Sequence, residues 1–176
     1  MIRTAIPDDC AAIAHVHIEG SRTTYRGIVN DDYLDALSHE KRTAQWLKNL
    51  EQDQITLVAE NENHVVVGFA DGGPERTGRT DYRGELYAIY LLEECRRQGL
   101  GRRLVERIFE SLVKAGMDSV LIWVLADNPC RRFYEALGGK LVGEKEIEIG
   151  KQRLRQVAYG FHLGTLPVNP VAPVPR

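Results

Sequence analysis

The segment ELYAIYLLEECRRQGLGRRLVERI, residues 85–108, constrains the fold more than any other part of the chain. It opens as a strand and closes as a helix. From about Leu100 to Ala115 the apolar residues Leu104, Val105, Ile108, Phe109 and Leu112 recur at helical spacing. Gly99 and Gly101 stand between strand and helix, although glycine is a poor helix former. Their place has a physical rationale. The amides of Gln98, Gly99, Leu100, Gly101 and Arg102 belong to a first helical turn, where N–H groups have no intrahelical acceptor and carry the positive end of the macrodipole. Without a Cβ at 99 and 101, an anion can sit against the backbone. Arg96, Arg97, Arg102 and Arg103 add full charges beside it. The unit asks for a phosphate or pyrophosphate. Its spacing excludes a P-loop, since no GxxxxGK[ST] is present, and a dinucleotide fingerprint, since Leu104 stands where a third small residue is required.

The flanking segments fill in an α/β or α+β domain with a mixed sheet. IRTAI alternates like an edge strand, and Pro7-Asp8-Asp9 starts a helix with an acidic first turn. EGSRTTYRGIVNDD, residues 19–32, is polar and reads as a loop carrying Tyr25. DDYLDALSHEKRTAQWLKNLE predicts two helical pieces broken near Ser38. QITLVAE and HVVVGFADGG are β-branched runs joined as a hairpin, and residues 72–84 read as a loop. SVLIWVLADN is nearly all apolar, which predicts a central strand covered on both faces. PCRRFYEALGG is a short helix, and KLVGEKEIEI and LRQVAYGFHL are strands joined at Gly150-Lys151. The domain therefore spans 1–163, followed by a Pro-rich tail over 164–176 whose composition admits packing on a second copy as a homodimer.

Bulk properties bound the partners. A net charge of −2 gives no global reason to expect nucleic acid or an acidic membrane. Cys10, Cys95 and Cys130 are far apart with no CxxC pair, which argues against a disulfide framework or structural zinc. His15 and His17 face different sides of a helix and no histidine has ligand spacing, so no metal is expected. Nothing in the chain resembles a signal peptide or a membrane span, and the cytoplasm is the default location.

Two segments in register resemble the GNAT superfamily of acyl-CoA-dependent N-acetyltransferases. Residues 85–108 are similar to its motif A: strand, short acidic connector, R/Q-x-x-G-x-G/A, amphipathic helix. VLIWVLADNPCRRFYEALGGK, residues 120–140, is similar to its motif B: apolar strand, Asn, then a helix carrying Phe-Tyr and ending in Gly-Gly. The resemblance covers residues 1–163. It implies a mixed, mostly antiparallel central sheet flanked by helices, whose fourth and fifth strands splay apart at a bulge in the fourth. It also implies acetyl-CoA as cofactor. The pantetheine arm would lie along the backbone of Ile89, Tyr90 and Leu91, and the diphosphate would lie on the turn from Arg96 to Arg102.

The resemblance also assigns roles. Tyr134 is the expected acid beside the cofactor sulfur, with core packing as the plain alternative. Asn128 is expected beside the pantetheine, and Asn128-Pro129 also has the form of a helix N-cap. A backbone N–H near Leu91 would donate to the developing oxyanion. Glu85, opening the fourth strand, is the candidate base through water and an acceptor contact. Strand alternation puts it on one face with Tyr87 and Ile89 unless the bulge resets the pattern after position 87. Tyr25 falls where relatives line the acceptor site. Cys130 reads as a small buried filler. The expected activity is direct transfer of an acetyl group to a primary amine, on a small molecule or a protein. The alternatives are a non-catalytic acyl-CoA sensor and an unrelated phosphate-binding domain. The acceptor lies over variable loops and is not legible in the sequence.

Overall fold

Seven strands form one sheet in the order β1-β2-β3-β4-β5-β7-β6 in the computed structural model, which describes residues 1–165. In chain order the elements are β1 (Ile2–Thr4), α1 (Cys10–Tyr25), α2 (Asp31–Asp35), α3 (His39–Leu50), β2 (Ile55–Glu60) and β3 (Val66–Pro74). Then follow β4 (Gly84–Leu91), α4 (Leu100–Lys114), β5 (Ser119–Leu125), α5 (Arg131–Ala136), β6 (Lys140–Ile149) and β7 (Gln152–His162). Neighbouring strands are antiparallel except β4 and β5, which are parallel. The mixed, mostly antiparallel sheet is therefore as expected.

Amphipathic patterning assigns the two faces. Leu104, Val105, Ile108, Phe109 and Leu112 of α4 are all buried against one face, with Tyr134 of α5 in the same cluster. The other face is covered by α1 and α3, where Ile13, Val16 and Trp46 meet Val58 and Phe69. His17 packs here against the Tyr90 ring, centroids 4.9 Å apart, and burial drops its pKa to about 3, so it is neutral. Ser38 caps α3 through Lys41 N–H, which is the expected break between the two helical pieces.

Two of the expected loops need correction. Residues 19–25 continue α1 instead of forming a loop, so Tyr25 ends a helix. Gly20 is a packing residue there, because a Cβ would lie 2.7 Å from Tyr90 Cδ1. Arg96 holds the last turn by donating to Thr23 Oγ1 at 2.7 Å. Residues 72–74 extend β3, which shortens the following loop to 75–83. Of the expected tail over 164–176, residues 166–176 lie outside the described residues; where the domain ends, Leu163 is buried and its N–H donates to Asp118 O at 2.7 Å.

Candidate active site

The pairing of β4 with β5 stops early. It covers only Gly84↔Val120, Glu85↔Leu121 and Leu86↔Ile122, after which the strands diverge. The cause lies on the other edge of β4. Against β3, Asp71 faces Ala88 while Gly72 faces Leu86, so Tyr87 is the extra residue of a bulge, and a bulge bends its strand. The bulge also resets the faces. Leu86, Ile89 and Leu91 pack on the α4 side, while Ala88 and Tyr90 pack on the α1 side. Alternation would have put Ile89 with Glu85 and Tyr87, and the bulge after 87 is the reason it does not.

The divergence opens a cleft of about 620 Å³. Ile89, Tyr90 and Leu91 line it on the β4 side, and Trp123, Val124 and Asn128 on the β5 side. Leu92 N–H donates to Val67 O on β3 at 2.9 Å. By strand alternation Ile89 and Leu91 therefore turn their N–H and C=O groups away from β3, into the cleft. Arg96 Nε already donates to Leu91 O at 3.2 Å, which leaves the Leu91 N–H as the donor on that residue.

At one end of the cleft stands the N-terminus of α4, where no side chain caps the first turn. Gly99 takes a left-handed φ of +76°, and nothing lies within 4 Å of where its Cβ would be. Arg97 is also left-handed, at φ +61°. Gly101 has ordinary helical geometry; a Cβ on it would come 3.3 Å from Leu91 Cδ1. Arg96, Arg97, Gly99, Gly101 and Arg102 line the cleft. Leu100 also packs its side chain on the core, and Gln98 turns back to donate to Glu94 O at 3.0 Å. Those two can contribute through their backbone.

These features match a particular set of relatives. The chain is 40% identical over 160 residues to the N-acetyltransferase YuaI of Bacillus subtilis (strain 168), covering 91% of each. The chain belongs to the GNAT superfamily of N-acetyltransferases. The family model described as FR47-like protein matches residues 76–147, which contain the bulged strand, the glycine turn and the Phe-Tyr helix. Among solved GNAT structures, the ribosomal-protein-alanine N-acetyltransferase from Brucella melitensis superposes with a TM-score of 0.73 at 25% identity, over 93% of this chain and 99% of that one. The PaiA N-acetyltransferase from Thermoplasma acidophilum, in complex with coenzyme A, has the same fold, with a TM-score of 0.70 at 21% identity over 89% of this chain and 96% of that one.

The motif B residues of this GNAT chain gather at the other side of the cleft. Tyr134 is buried, lies edge-on to Phe133 and stacks on Tyr159. Burial raises its pKa above the ordinary phenol value, with nearby Cys130 and Tyr90 adding to the rise. Tyr25 is raised too, first by burial and then by Tyr90, whose hydroxyl lies 3.4 Å away. Tyr25, Tyr90, Tyr134 and Cys130 thus converge on the cleft. Cys130 is exposed and lines the cleft, so it is not a buried filler. Asn128 is buried and its Oδ1 accepts from Cys130 N–H at 2.8 Å. It forms a local turn two residues ahead of the N-cap of α5, which is Cys130.

Glu85 is not brought together with these residues. It is buried but absent from the cleft wall, and its two oxygens accept from Arg76 N–H and Arg76 Nη2, both at 3.1 Å. Two further features escaped sequence reasoning. Asp71 on β3 is buried, accepts from Thr56 Oγ1 at 2.8 Å and is pushed up to about 7 by desolvation. His15 and Glu19 of α1 meet His39 of α3, with one ligand atom from each within 4.8 Å of the others. No spacing rule finds that trio, because the third residue comes from another helix. The two imidazoles are stacked, 24° from coplanar, so a shared ion would require the rings to turn. None of the three lines the cleft.

Proposed function

We propose that this protein transfers an acetyl group from acetyl-CoA to a primary amine by direct attack. The observation that carries the reading is the opening of β4 from β5 after Leu86 and Ile122, leading to an uncapped α4 N-terminus with a left-handed Gly99. An extended arm fits the unpaired Ile89 and Leu91 backbone groups, which need partners. A diphosphate fits the first-turn amides, with Arg97 and Arg102 alongside. Acetyl-CoA supplies a thioester whose acetyl group passes to the amine nitrogen with release of the thiol.

The chain's own groups then divide the work. The Leu91 N–H donates to the carbonyl oxygen as charge develops on it. Tyr134 keeps its proton at neutral pH, since burial raises its pKa, and gives it to the departing sulfur. Asn128 shapes the turn that delivers Cys130 and Tyr134 to the cleft. Tyr25 borders the acceptor side. Because both Glu85 oxygens are engaged by Arg76, we assign Glu85 to holding Arg76 against Tyr87 and leave the amine proton to water. The pH–rate profile of Glu85→Gln should then run parallel to wild type. A deficit at neutral pH that closes as pH rises would instead restore Glu85 as the base.

Titration with acetyl-CoA, followed by thiol release with a panel of amines, tests the whole reading. Binding with no release from any amine would favour a sensor, and no binding would remove the assignment.

A further inference from the structure

The walls of the cleft carry charge of one sign. Arg96, Arg97 and Arg102 line it, and among the described residues no Asp or Glu does. A polycationic acceptor would find no counter-charge there. The phosphate end accounts for those three arginines but not for two further cations at the apex of the splay.

Tyr87 and Trp123 are the first residues beyond the last β4–β5 pair, and both line the cleft. Each carries a cation on its ring. Arg76 Cζ lies 3.3 Å from the Tyr87 centroid, and Lys145 Nζ lies 3.9 Å from the Trp123 centroid. Arg76 is balanced by Glu85, as Arg79 is by Asp81. Lys145 makes no ion pair among the described residues. The half-buried side of β6 carries Lys145, Ile147 and Ile149, whereas Glu144, Glu146 and Glu148 alternate to the exposed side. An ammonium without an ion pair is thus held against the ring of a cleft-lining residue.

We propose that the acceptor is an amine that also carries a carboxylate, an amino acid or a close analogue, and that Lys145 is the residue that reads the carboxylate, with the Arg76–Glu85 pair fixing the opposite lip. This rests on the acetyltransferase reading above and names its substrate class. Lys145 supplies a point charge, and the aromatic ring beneath limits where its ammonium can go; an arginine there keeps the positive charge and also stacks on an aromatic face. The carboxylate sets the position of the amine; it does not take part in the transfer.

The test uses matched acceptors in sets of three: an amino acid, its primary amide, and the amine that lacks the carboxyl group. Thiol release from acetyl-CoA is measured for each, with a linear polyamine as a cationic control. The expected result is a kcat/KM for the acid at least about 10-fold above the amide, the size of one good charge-assisted contact. Lys145→Met should raise KM for the acid by a similar factor, leave kcat and the amide unchanged, and leave the melting temperature unmoved; Lys145→Arg should restore the preference. Equal or better use of the amide, the decarboxylated amine or the polyamine overturns the inference while acetyl transfer stands. So does a Lys145→Met variant that keeps the preference. No thiol release with any amine overturns it as well, and if acetyl-CoA also fails to bind, the acetyltransferase reading falls with it.

Discussion

Tyr134 and Asp71 show how burial sets the protonation of single residues for different ends. The Tyr134 phenol is kept neutral by its surroundings, which suits a proton donor. Tyr134→Phe keeps the ring and its stack on Tyr159, so acetyl-CoA affinity should stay near wild type. Single-turnover acetylation should fall by roughly 10²-fold, within the usual range for a general acid. Unchanged single-turnover chemistry would reduce Tyr134 to packing. Asp71 is held near neutrality by desolvation, at about 7 against 3.8 for an ordinary Asp. Between those values the unfolded chain has lost the proton and the folded chain keeps it. Stability should therefore fall as pH rises through that window and level off above it. Asp71→Asn should remove the slope and raise stability at pH 8 by up to a few kcal/mol, since each tenfold change in proton affinity is worth about 1.4 kcal/mol. Urea unfolding at several pH values checks this, and a wild-type slope retained in the variant would contradict it.

At the scale of elements, the glycine turn and the bulge act as a pair: one aims helix amides at the cleft, the other clears the strand beside it. The two glycines should separate by mechanism. Gly99→Val forces a branched side chain into left-handed backbone, at a cost of about 1–2 kcal/mol of stability or more, and it also fills the approach to the amides. Gly101→Val has no such strain, and its Cβ meets only Leu91 and Phe133. It should lose acetyl-CoA affinity by at least about 10-fold with little change in stability. Calorimetric titration and thermal melts distinguish the two outcomes; normal binding by either variant would move the diphosphate elsewhere. Helix α1 teaches a different lesson. Its last two turns carry Gly20, Ser21, Thr23 and Thr24, poor helix formers that read as loop, yet Arg96 and the close approach of Tyr90 hold them helical.

For the whole molecule, a ligand that binds only the folded state stabilises it by mass action. Acetyl-CoA at 100 times its dissociation constant should add about 2.7 kcal/mol, which for a chain of this size is roughly a 5–10 °C rise in melting temperature. A flat melting curve at millimolar acetyl-CoA would count against the cleft as its site. No helix of the described residues is long and apolar enough to cross a membrane. The net charge of −2 conceals a strongly basic cleft, so overall charge says little about what this surface attracts.

Sequence alone determined what depends on neighbours along the chain. The α4 stripe, the strand–glycine–helix unit, the break at Ser38 and the turn at Gly150-Lys151 all follow from local spacing and backbone preference, and they were legible for that reason. The two motifs in register carried the family and the splayed sheet as well. Tertiary structure decided whatever depends on residues distant in sequence. The register of β4 against β3 sets which face Ile89 takes. Arg76 determines that Glu85 turns from the cleft, and His39 comes to His15 only because α3 packs on α1. Lys145 acquires its place over Trp123 from the pairing of β6 with β7 beside β5. Side-chain partners of this kind are fixed by packing across the sheet, and no local pattern in the chain encodes them.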